Sequence, residues 1–481
     1  MKGMILSTVG LFWSLVSCGG SAPSDTLGTM TTSVETASTG MTETQTVTTT
    51  TTNTPEPIDI NGVLKLTDGR PTNLLVISID TLRRDHINAF GYTRRETTPV
   101  IDQMITGGVG LYNHRTCSSW TLPSFLCFLT GKNQISMGHW PANNDGLPPP
   151  TPDKLDLMAE YFSEKGFYTM LTGASAFLGA ATNTNQGYDE GESVFEPVAA
   201  EIVTDAMAML EKRPSYLPFM MHMHLIDPHM PYTPAASFLT ELELLPETAY
   251  DLTTEAGTLE LWRQFETLGD EAKNIAIQHM EVRYDGEIRT VDTQLERLFS
   301  NKSLGDIWDE TLVVMLSDHG EEFYEHENFN HGYNAFPEII DGFATLYWPG
   351  RLVPAKVTVP TLHQDLLPTI FSIFGFEADP LFTGLVVGEE EREHYFNLTY
   401  RVEKTHQSVS DGVTKLMYRW DESDLLGGPK YFYDLVADPG EINNIYDPTD
   451  ERVIEMWDLL LPEVQRLSSQ EKSAQPVNPG P

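Results

Sequence analysis

Cysteine and basic side chains are both scarce in this sequence, and each shortage excludes a class of protein. The chain has three cysteines, Cys18, Cys117 and Cys127, which are too few for a disulfide framework. A Cys117–Cys127 bridge would need an oxidising compartment, and the apolar run around Cys127 favours a buried thiol instead. The 30 Lys and Arg stand against 69 Asp and Glu, so the formal net charge is -39. Because nucleic-acid phosphates select basic surfaces, we expect no nucleic-acid partner, and an anionic ligand must be held by local features.

The leader carries an apolar run that is too short to span a membrane as a helix. Met1 and Lys2 precede the run MILSTVGLFWSLV, and small residues follow it. This pattern predicts an export signal peptide over residues 1–17. The end of the run resembles a bacterial lipobox, which implies cleavage before Cys18 and a lipid on its sulfur. A plain signal peptide with an incidental cysteine is the alternative. We therefore expect an exported lipoprotein of the bacterial cell envelope, on the outer membrane or the periplasmic face, held at the membrane by its N-terminal lipid.

Three apolar runs in the rest of the chain have the form of buried parallel strands. They cover residues 71–80, 216–227 and 310–318, and each is short, continuous and closed by a polar residue. Helical spacing of apolar residues appears between them, over 154–167 and 272–299. Strands that alternate with helices predict a doubly wound α/β architecture.

All three of these runs end in aspartate, at Asp80, Asp227 and Asp318. In such folds the active site lies beyond the carboxyl ends of the strands. One aspartate at a strand end is commonplace, because aspartate caps turns and helices. Three of them, each at the end of a continuous apolar run, favour a functional site.

The domain boundaries follow from changes of composition along the chain. We expect the lipidated cysteine and a Ser/Thr-rich disordered linker over 18–70, because most of this segment has too few large apolar residues to fold. The catalytic domain is predicted over 71–376. A smaller α+β subdomain with antiparallel strands is predicted over 377–465, and a flexible tail over 466–481.

A turn before an apolar helix places a hydroxyl at a helix start. Pro123 suits a first helical turn and Gly131 suits a helix stop, so Thr121 is expected at or just before the N-terminus. That position offers unpaired N–H groups and the positive end of the helix dipole to a phosphate or sulfate. The alternative is that Thr121 only caps the helix.

The segment DHGEE, which begins at Asp318, has the composition of a cation site. Asp318 and His319 on one turn, with Asp80 from a distant strand, can enclose a divalent ion. Carboxylates suit calcium, magnesium or manganese, and an imidazole shifts the preference toward manganese or zinc. A cation would stabilise the alkoxide of Thr121, which is otherwise a weak nucleophile. An acidic surface loop is the alternative.

Two further histidines follow these strands and could grip anionic oxygens or protonate a leaving group. They are His229, in the segment DPHMPY, and His331, shortly after DHGEE. Asp227, His229 and His331 could instead hold a second cation. We favour a single ion, because no further carboxylate is evident for a second one.

From about Asn73 to Asn444 the sequence resembles the sulfatases, a family of the alkaline phosphatase superfamily. The segments that carry this resemblance are NLLVISIDTLRRDHINAFGY, SSWTLPSFLCFLTG, LIDPHMPY, VVMLSDHGEEFYEH, DLLPTIFSIFG and YDLVADPGEINN. The resemblance implies an alkaline-phosphatase-like mixed sheet sandwiched by helices, with a smaller C-terminal α+β subdomain.

The resemblance also implies roles for individual residues. Asp80, Asp318 and His319 match metal ligands of the family, and Thr121 occupies the position of the nucleophile, where its oxygen would also bind the metal. His229 matches a histidine that contacts the substrate's oxygens. His331 stands where many relatives have a lysine that serves the same group.

Three residues depart from the family pattern. Thr121 replaces the cysteine that relatives convert to formylglycine, Phe125 replaces an arginine that binds anions, and Thr81 replaces a second aspartate. A formylglycine hydrate can expel sulfate by collapsing back to the aldehyde, whereas a threonine ester must be attacked by water or another acceptor. The resemblance therefore implies that the Thr121 oxygen attacks a phosphoryl centre in preference to a sulfuryl centre.

We expect a metal-dependent hydrolase of sulfate or phosphate esters that uses one divalent ion, calcium or manganese, or else zinc. Its substrate would be a small anionic ester, or a sulfated or phosphorylated glycan or lipid head group. A catalytically inactive envelope binding protein is one alternative, favoured by Phe125 and Thr81 and opposed by the retained metal ligands. A transferase of phosphoglycerol or phosphoethanolamine type is the other.

Overall fold

The structure is a computed structural model, and it describes residues 57–138, 148–193, 198–240, 245–399, 405–420 and 427–474. The predicted signal peptide, the lipidation at Cys18 and most of the predicted linker lie outside these residues. Within the described ranges, no helix is both long enough and apolar enough to cross a membrane.

The described part contains short strands, a large mixed sheet and a separate antiparallel sheet. The strands are β1 (Ile58–Asp59), β2 (Lys65–Leu66), β3 (Asn73–Ile79), β4 (Val109–Leu111), β5 (His114–Arg115), β6 (Tyr168–Gly173), β7 (Glu190–Ser193), β8 (Phe219–Leu225), β9 (Thr311–Ser317), β10 (Glu322–Phe323), β11 (Phe329–Asn330), β12 (Ala344–Tyr347), β13 (Ala355–Val357), β14 (Thr361–Leu362), β15 (Tyr395–Thr399), β16 (His406–Ser410), β17 (Thr414–Arg419) and β18 (Lys430–Asp434). The helices are α1 (Pro99–Gly107), α2 (Thr121–Thr130), α3 (Gln134–Met137), α4 (Met158–Glu164), α5 (Ala199–Lys212), α6 (Glu255–Gln264), α7 (Asp270–Phe299), α8 (Pro337–Ile340), α9 (Leu366–Phe374) and α10 (Glu451–Ala474).

The three strands predicted from apolar runs lie side by side at the centre of the main sheet. The strand order is β13-β4-β12-β9-β3-β8-β6-β7, and β9, β3 and β8 are parallel to one another. In the register of β3 with β9, Ile79 is paired with Ser317. Both strands therefore end at the same level, and the residues that follow them, Asp80 and Asp318, emerge together at the carboxyl edge.

Alternate residues of the central strands face opposite layers of helices. Leu74 and Val76 of β3 pack in the core that contains α2 and α9. Leu75 and Ile77 pack in the core that contains α5 and α7. Because side chains alternate along a strand, a fully apolar strand is expected only in a sheet covered on both faces. The predicted sandwich of helices around a mixed sheet is confirmed.

The two predicted helices are present, with one of them shorter than expected. The helix predicted over 272–299 is α7, but only Met158–Glu164 of the pattern over 154–167 is helical. The Glu160 side chain accepts the N–H of Leu157 at 2.8 Å, which fixes the helix start there. At the other end Gly166 adopts a left-handed φ of 84° and stops the helix.

The folded part begins before residue 71. Strands β1 and β2 form an antiparallel pair, and Leu64 and Leu66 are fully buried in the core with α2. The linker predicted over 18–70 is therefore too long at its C-terminal end, because these leucines anchor the chain to the domain.

The C-terminal α+β subdomain predicted from the sequence is also present. Strands β15 to β18 form an antiparallel sheet, and Met456 and Leu460 of α10 pack against it. Helix α10 continues to Ala474, so it enters the segment 466–481 for which a flexible tail is predicted. Residues 475–481 lie outside the described part.

Candidate active site

Asp80, Asp318 and His319 form a buried cluster at the carboxyl edge of the central sheet. His319 Nε2 lies 3.6 Å from Asp80 Oδ1 and 3.4 Å from Asp318 Oδ2. One ligand atom from each residue lies within 4.8 Å of the other two. The three residues are thus placed as a set of cation ligands would be.

The imidazole of His319 presents a lone pair to this cluster. Its Nδ1 lies 2.9 Å from the carbonyl oxygen of Gly320, which can only accept a hydrogen bond. Burial lowers the pKa of His319 well below its usual value, so the ring is neutral and its proton sits on Nδ1. Gly320 itself is required by a close approach, because a Cβ there would collide with the carbonyl oxygen of Glu338.

Thr121 is the first residue of α2, and its hydroxyl joins the cluster. Thr121 Oγ1 lies 3.2 Å from His319 Nε2, and the residue is 4 % exposed. The preceding Trp120 is extended, and Gly131 ends the helix in the left-handed conformation, as the sequence predicts. The structure therefore brings together the four residues predicted as metal site and nucleophile, while their roles stay predictions.

The donor set fits a divalent cation. Asp80 Oδ1 and Asp318 Oδ2 are buried and have no hydrogen-bond partner among the described residues. Burial and the neighbouring charge of Asp80 raise the pKa of Asp318 well above its usual value. The two carboxylates suit calcium or manganese and the imidazole suits manganese or zinc, and a bound cation would relieve the repulsion between the carboxylates.

Thr81 stands beside this cluster in a strained backbone conformation. Its φ is 54°, a left-handed value that a β-branched residue rarely adopts. Asp318 Oδ1 accepts its N–H at 3.1 Å, and its carbonyl oxygen accepts the Tyr284 hydroxyl at 2.6 Å. The strain, of order 1–3 kcal/mol, is maintained by these bonds.

His229 and His331 line the same centre. Their ring centroids are 5.2 Å apart, and the His331 ring is 4.3 Å from that of His319. Glu321, which was not predicted as a site residue, lies 3.1 Å from His331 Nδ1, and His229 Nδ1 donates to the Met230 carbonyl oxygen at 2.7 Å. Burial raises the pKa of Glu321 to about 8. All predicted site residues are therefore close together.

Asp227, considered above as a ligand of a second cation, has a different set of partners. Its Oδ2 accepts the N–H of Ala199 at the start of α5 at 2.6 Å. Its carboxyl is also paired with that of Glu287, which accepts the N–H of Thr233. The loop that carries His229 is thus held to α5 at its start, through Asp227, and to α7 at its end, through Glu287.

This carboxyl pair makes stability depend on pH. Burial and the neighbouring Asp227 raise the pKa of Glu287 from 4.5 to about 9. Between these values the folded chain binds a proton that the unfolded chain has lost, so the free energy of unfolding falls as pH rises through this interval. Glu287→Gln should remove this slope and stabilise the protein by up to about 5 kcal/mol at pH 8. Denaturant titrations at pH 5 to 9 measure the effect.

An exposed glutamate provides the control for that measurement. Glu266, paired with Lys273 on the surface, should give an unchanged pH profile when replaced by glutamine. If Glu287→Gln keeps the slope of the wild-type protein, the carboxyl pair is not its source.

Sequence reasoning missed the layer of side chains under the cluster. His224 of β8 lies with its Nε2 3.4 Å from Asp80 Oδ2, and Ser78 of β3 holds its Nδ1 at 2.9 Å. Burial acts to raise the pKa of Asp80, but its bond to His224 and the neighbouring imidazoles hold that pKa below its usual range. The available signal was a pair of histidines, His222 and His224, in alternate positions of an otherwise apolar strand.

The sequence matches the sulfatase family profile over residues 72–376. An arylsulfatase of Clostridium perfringens is 22% identical over 464 residues, covering 82% of this chain and 94% of that protein. A choline-sulfatase of Rhizobium meliloti is 23% identical over 309 residues, covering 58% of this chain and 57% of that protein.

Solved structures share the fold. BT4656 in complex with its substrate D-glucosamine-2-N,6-O-disulfate aligns with a TM-score of 0.61 at 19% identity, covering 86% of this chain and 100% of that one. The phosphonate monoester hydrolase of Agrobacterium radiobacter aligns with a TM-score of 0.61 at 18% identity, covering 84% of this chain and 96% of that one. The profile spans most of the folded part and includes every residue of the buried cluster, so the chain belongs to the sulfatase family of the alkaline phosphatase superfamily and is a sulfatase-like ester hydrolase.

Proposed function

We propose that the chain uses one divalent cation, held by Asp80, Asp318 and His319, and the hydroxyl of Thr121 as nucleophile. The observation that carries this proposal is the 3.2 Å separation of Thr121 Oγ1 from His319 Nε2. Among the described residues of the predicted nucleophile segment, Thr121 alone has a hydroxyl in contact with His319. His319 is grouped with the buried carboxylates of Asp80 and Asp318.

The residues suit a double displacement. The Thr121 hydroxyl loses its proton to solvent, its oxygen forms a bond to the phosphorus or sulfur centre, and the bond from that centre to the ester oxygen breaks as His229 or His331 gives that oxygen a proton. A water molecule then gives a proton back to the same histidine while its oxygen attacks the centre, the bond to Thr121 Oγ breaks, and the threonine regains a proton from solvent. When bound, the cation supplies charge stabilisation for the threonine oxygen and for the substrate's oxygens.

The start of α2 adds a second source of anion binding. The first N–H groups of an α-helix have no partner within the helix, and the dipole is positive at that end. Thr121 stands at this end of the helix. A phosphoryl or sulfuryl oxygen bound next to Thr121 would therefore meet these N–H groups.

We infer that phosphoryl esters are hydrolysed in preference to sulfate esters. A threonine ester has no route back through an aldehyde, and phosphoryl transfer tolerates a second attack by water. The arginine position of the family is held by Phe125, which is fully buried and brings no charge. The fold similarity to a phosphonate monoester hydrolase is consistent with such a centre.

The larger part of the substrate would be a sulfated or phosphorylated glycan or a lipid head group. The structural neighbour BT4656 binds a disulfated glucosamine, which supports a carbohydrate as the carrier of the ester. We also propose that the N-terminal lipid holds the protein at the bacterial envelope, where both kinds of substrate occur.

A substrate and metal panel tests the proposal. The purified protein with calcium, manganese or zinc is offered aryl phosphate, bis-aryl phosphate and aryl sulfate esters. We expect hydrolysis of a phosphoryl ester that depends on the cation. Activity on the sulfate ester alone would contradict the inferred preference, and no activity with no bound metal would favour the binding protein. Transfer to an added alcohol instead of water would favour the transferase.

Asp318→Asn is the matched variant for this panel. Asparagine retains an oxygen to accept the N–H groups of Thr81 and His319, which now donate to Asp318 Oδ1. We expect loss of cation binding and of activity, but a higher melting temperature without cation, because one buried charge is removed. Calorimetric titration and thermal melts with and without the cation measure both effects. A lower melting temperature of the cation-free variant would argue against charge repulsion in this cluster.

A further inference from the structure

A file of side chains, hydrogen-bonded from Tyr188 to His224, runs beneath the sheet edge and leads to Asp80. The Tyr188 hydroxyl lies 3.3 Å from His222 Nδ1, and His222 Nε2 lies 2.9 Å from Ser78 Oγ. Ser78 Oγ lies 2.9 Å from His224 Nδ1, and His224 Nε2 lies 3.4 Å from Asp80 Oδ2. Each polar atom along this file faces the next one.

Strand register explains why these side chains meet. Ser78 of β3 is paired with His224 of β8, and Val76 is paired with His222. Because side chains alternate along a strand, Ser78, His222 and His224 point to the same face of the sheet, the one covered by α2. Two parallel strands thus build the file from residues that are distant along the chain.

Only one direction of these hydrogen bonds gives Asp80 a donor. A tyrosine hydroxyl that donates to His222 Nδ1 leaves the proton of this neutral imidazole on Nε2, where it meets Ser78 Oγ. The Ser78 hydroxyl then donates to His224 Nδ1, which leaves the His224 proton on Nε2, toward the carboxylate. Burial keeps His222 neutral by lowering its pKa to about 3, and it raises the pKa of Tyr188 above its usual value, so that the hydroxyl keeps its proton.

The two oxygens of Asp80 have separate neighbours. Oδ1 faces His319 and the candidate cation position, whereas Oδ2 faces His224. His224 Nε2 is buried and makes no hydrogen bond with the described residues, although Asp80 Oδ2 lies only 3.4 Å from it. Partners that orient a metal-binding carboxylate from behind commonly change metal affinity by 10–100-fold.

Phe125 closes this file from the side of α2. Its ring meets the His224 ring edge-on, with centroids 4.8 Å apart and an angle of 89°, and it meets the His222 ring at 6.0 Å. Phe125, His222 and His224 are all fully buried. The aromatic residue at the arginine position therefore keeps water away from the hydrogen-bonded file.

We propose that His224 is a positioning residue that donates its Nε2 proton to Asp80 Oδ2, and that Ser78, His222 and Tyr188 select the tautomer in which it can do so. The inference rests on the proposed function, because it assigns Asp80 to the cation. It extends that function by naming the residues that prepare Asp80 for the ion.

Cation affinity of the purified full-length protein tests this assignment. His224→Leu should weaken manganese binding 10–100-fold in a calorimetric titration. His224→Gln, whose amide can replace the Nε2 donor, should stay within about threefold of the wild-type protein. His279→Leu, at a buried histidine of α7 that faces the Pro246 carbonyl oxygen, should not change the affinity. Equal binding by the leucine variant and the wild type, or equal weakening by the leucine and glutamine variants, would overturn the proposal.

The tautomer can be measured without any cation. Long-range nitrogen–proton spectra of the protein labelled on histidine nitrogen should place the His224 proton on Nε2. Ser78→Ala removes the hydroxyl that donates to His224 Nδ1 and so interrupts the file. This variant should show a mixture of the two His224 tautomers and weaker manganese binding. A His224 proton on Nδ1 in the wild-type protein would refute the positioning role. If the wild-type protein binds no manganese but shows the expected tautomer, the proposed function fails while the hydrogen-bonded file stands.

Discussion

Thr121→Ala is expected to lower the turnover number for an aryl phosphate ester by at least about 10³-fold. The substitution removes the oxygen that lies 3.2 Å from His319 Nε2 and leaves the carboxylates in place. Thr121 is the first helical residue and not the cap, which is Trp120. Alanine is a good helix former, so the fold and the start of α2 should persist. Steady-state kinetics and a thermal melt of the same preparation measure the two effects.

Thr121→Ser is the matched control for this loss. Serine keeps the hydroxyl and loses only a methyl group at a position that is 4 % exposed. We expect its turnover to stay within about tenfold of the wild type, because the nucleophile and the helix start are both present. An alanine variant as active as the serine variant would show that water, and not Thr121, attacks the substrate.

The central part of this site could be predicted from the sequence because it depends on local patterns. Apolar runs define β3 and β9, and each is followed at once by a carboxylate, Asp80 or Asp318. Parallel neighbours in register end at one edge, so two strand predictions are enough to bring these aspartates together. The start of α2 follows in the same way from Pro123 and Gly131.

The supporting residues could not be predicted, because their partners come from distant parts of the chain. Ser78 and His224 meet only through the register of β3 with β8. His331 reaches Glu321 because β10 and β11 fold back as an antiparallel pair. Glu287 lies on α7, and no periodicity of that helix indicates that it faces the Asp227 loop.

The departures from the family pattern acquire a physical meaning in this setting. Thr81 contributes no carboxylate, and its hydroxyl is buried without a hydrogen-bond partner among the described residues. The cation would then depend more heavily on Asp80, whose second oxygen His224 faces. Phe125 shields that histidine. The apolar residue at the arginine position and the histidine file therefore depend on each other, because Phe125 packs against both His222 and His224.

This interdependence predicts that restoring the family residue is harmful. Phe125→Arg should lower the free energy of unfolding by about 4 kcal/mol, because it buries a cation without a partner. The replaced ring is fully buried and packs against Phe128, His222 and His224, none of which carries a negative charge. The guanidinium would also oppose any positive charge at the cation position above it. Denaturant titration of the variant gives the loss.

Phe125→Leu separates the effect of charge from the effect of lost packing. Leucine keeps an apolar side chain beside His224, so the expected loss is about 1 kcal/mol, and cation affinity should fall less than in Phe125→Arg. If the arginine variant is as stable as the leucine variant and binds inorganic phosphate more tightly than the wild type, the site can accept the family's cation. The phenylalanine at position 125 would then do no more than remove an anion-binding charge. Its contact with His224 would have no effect on how Asp80 is held.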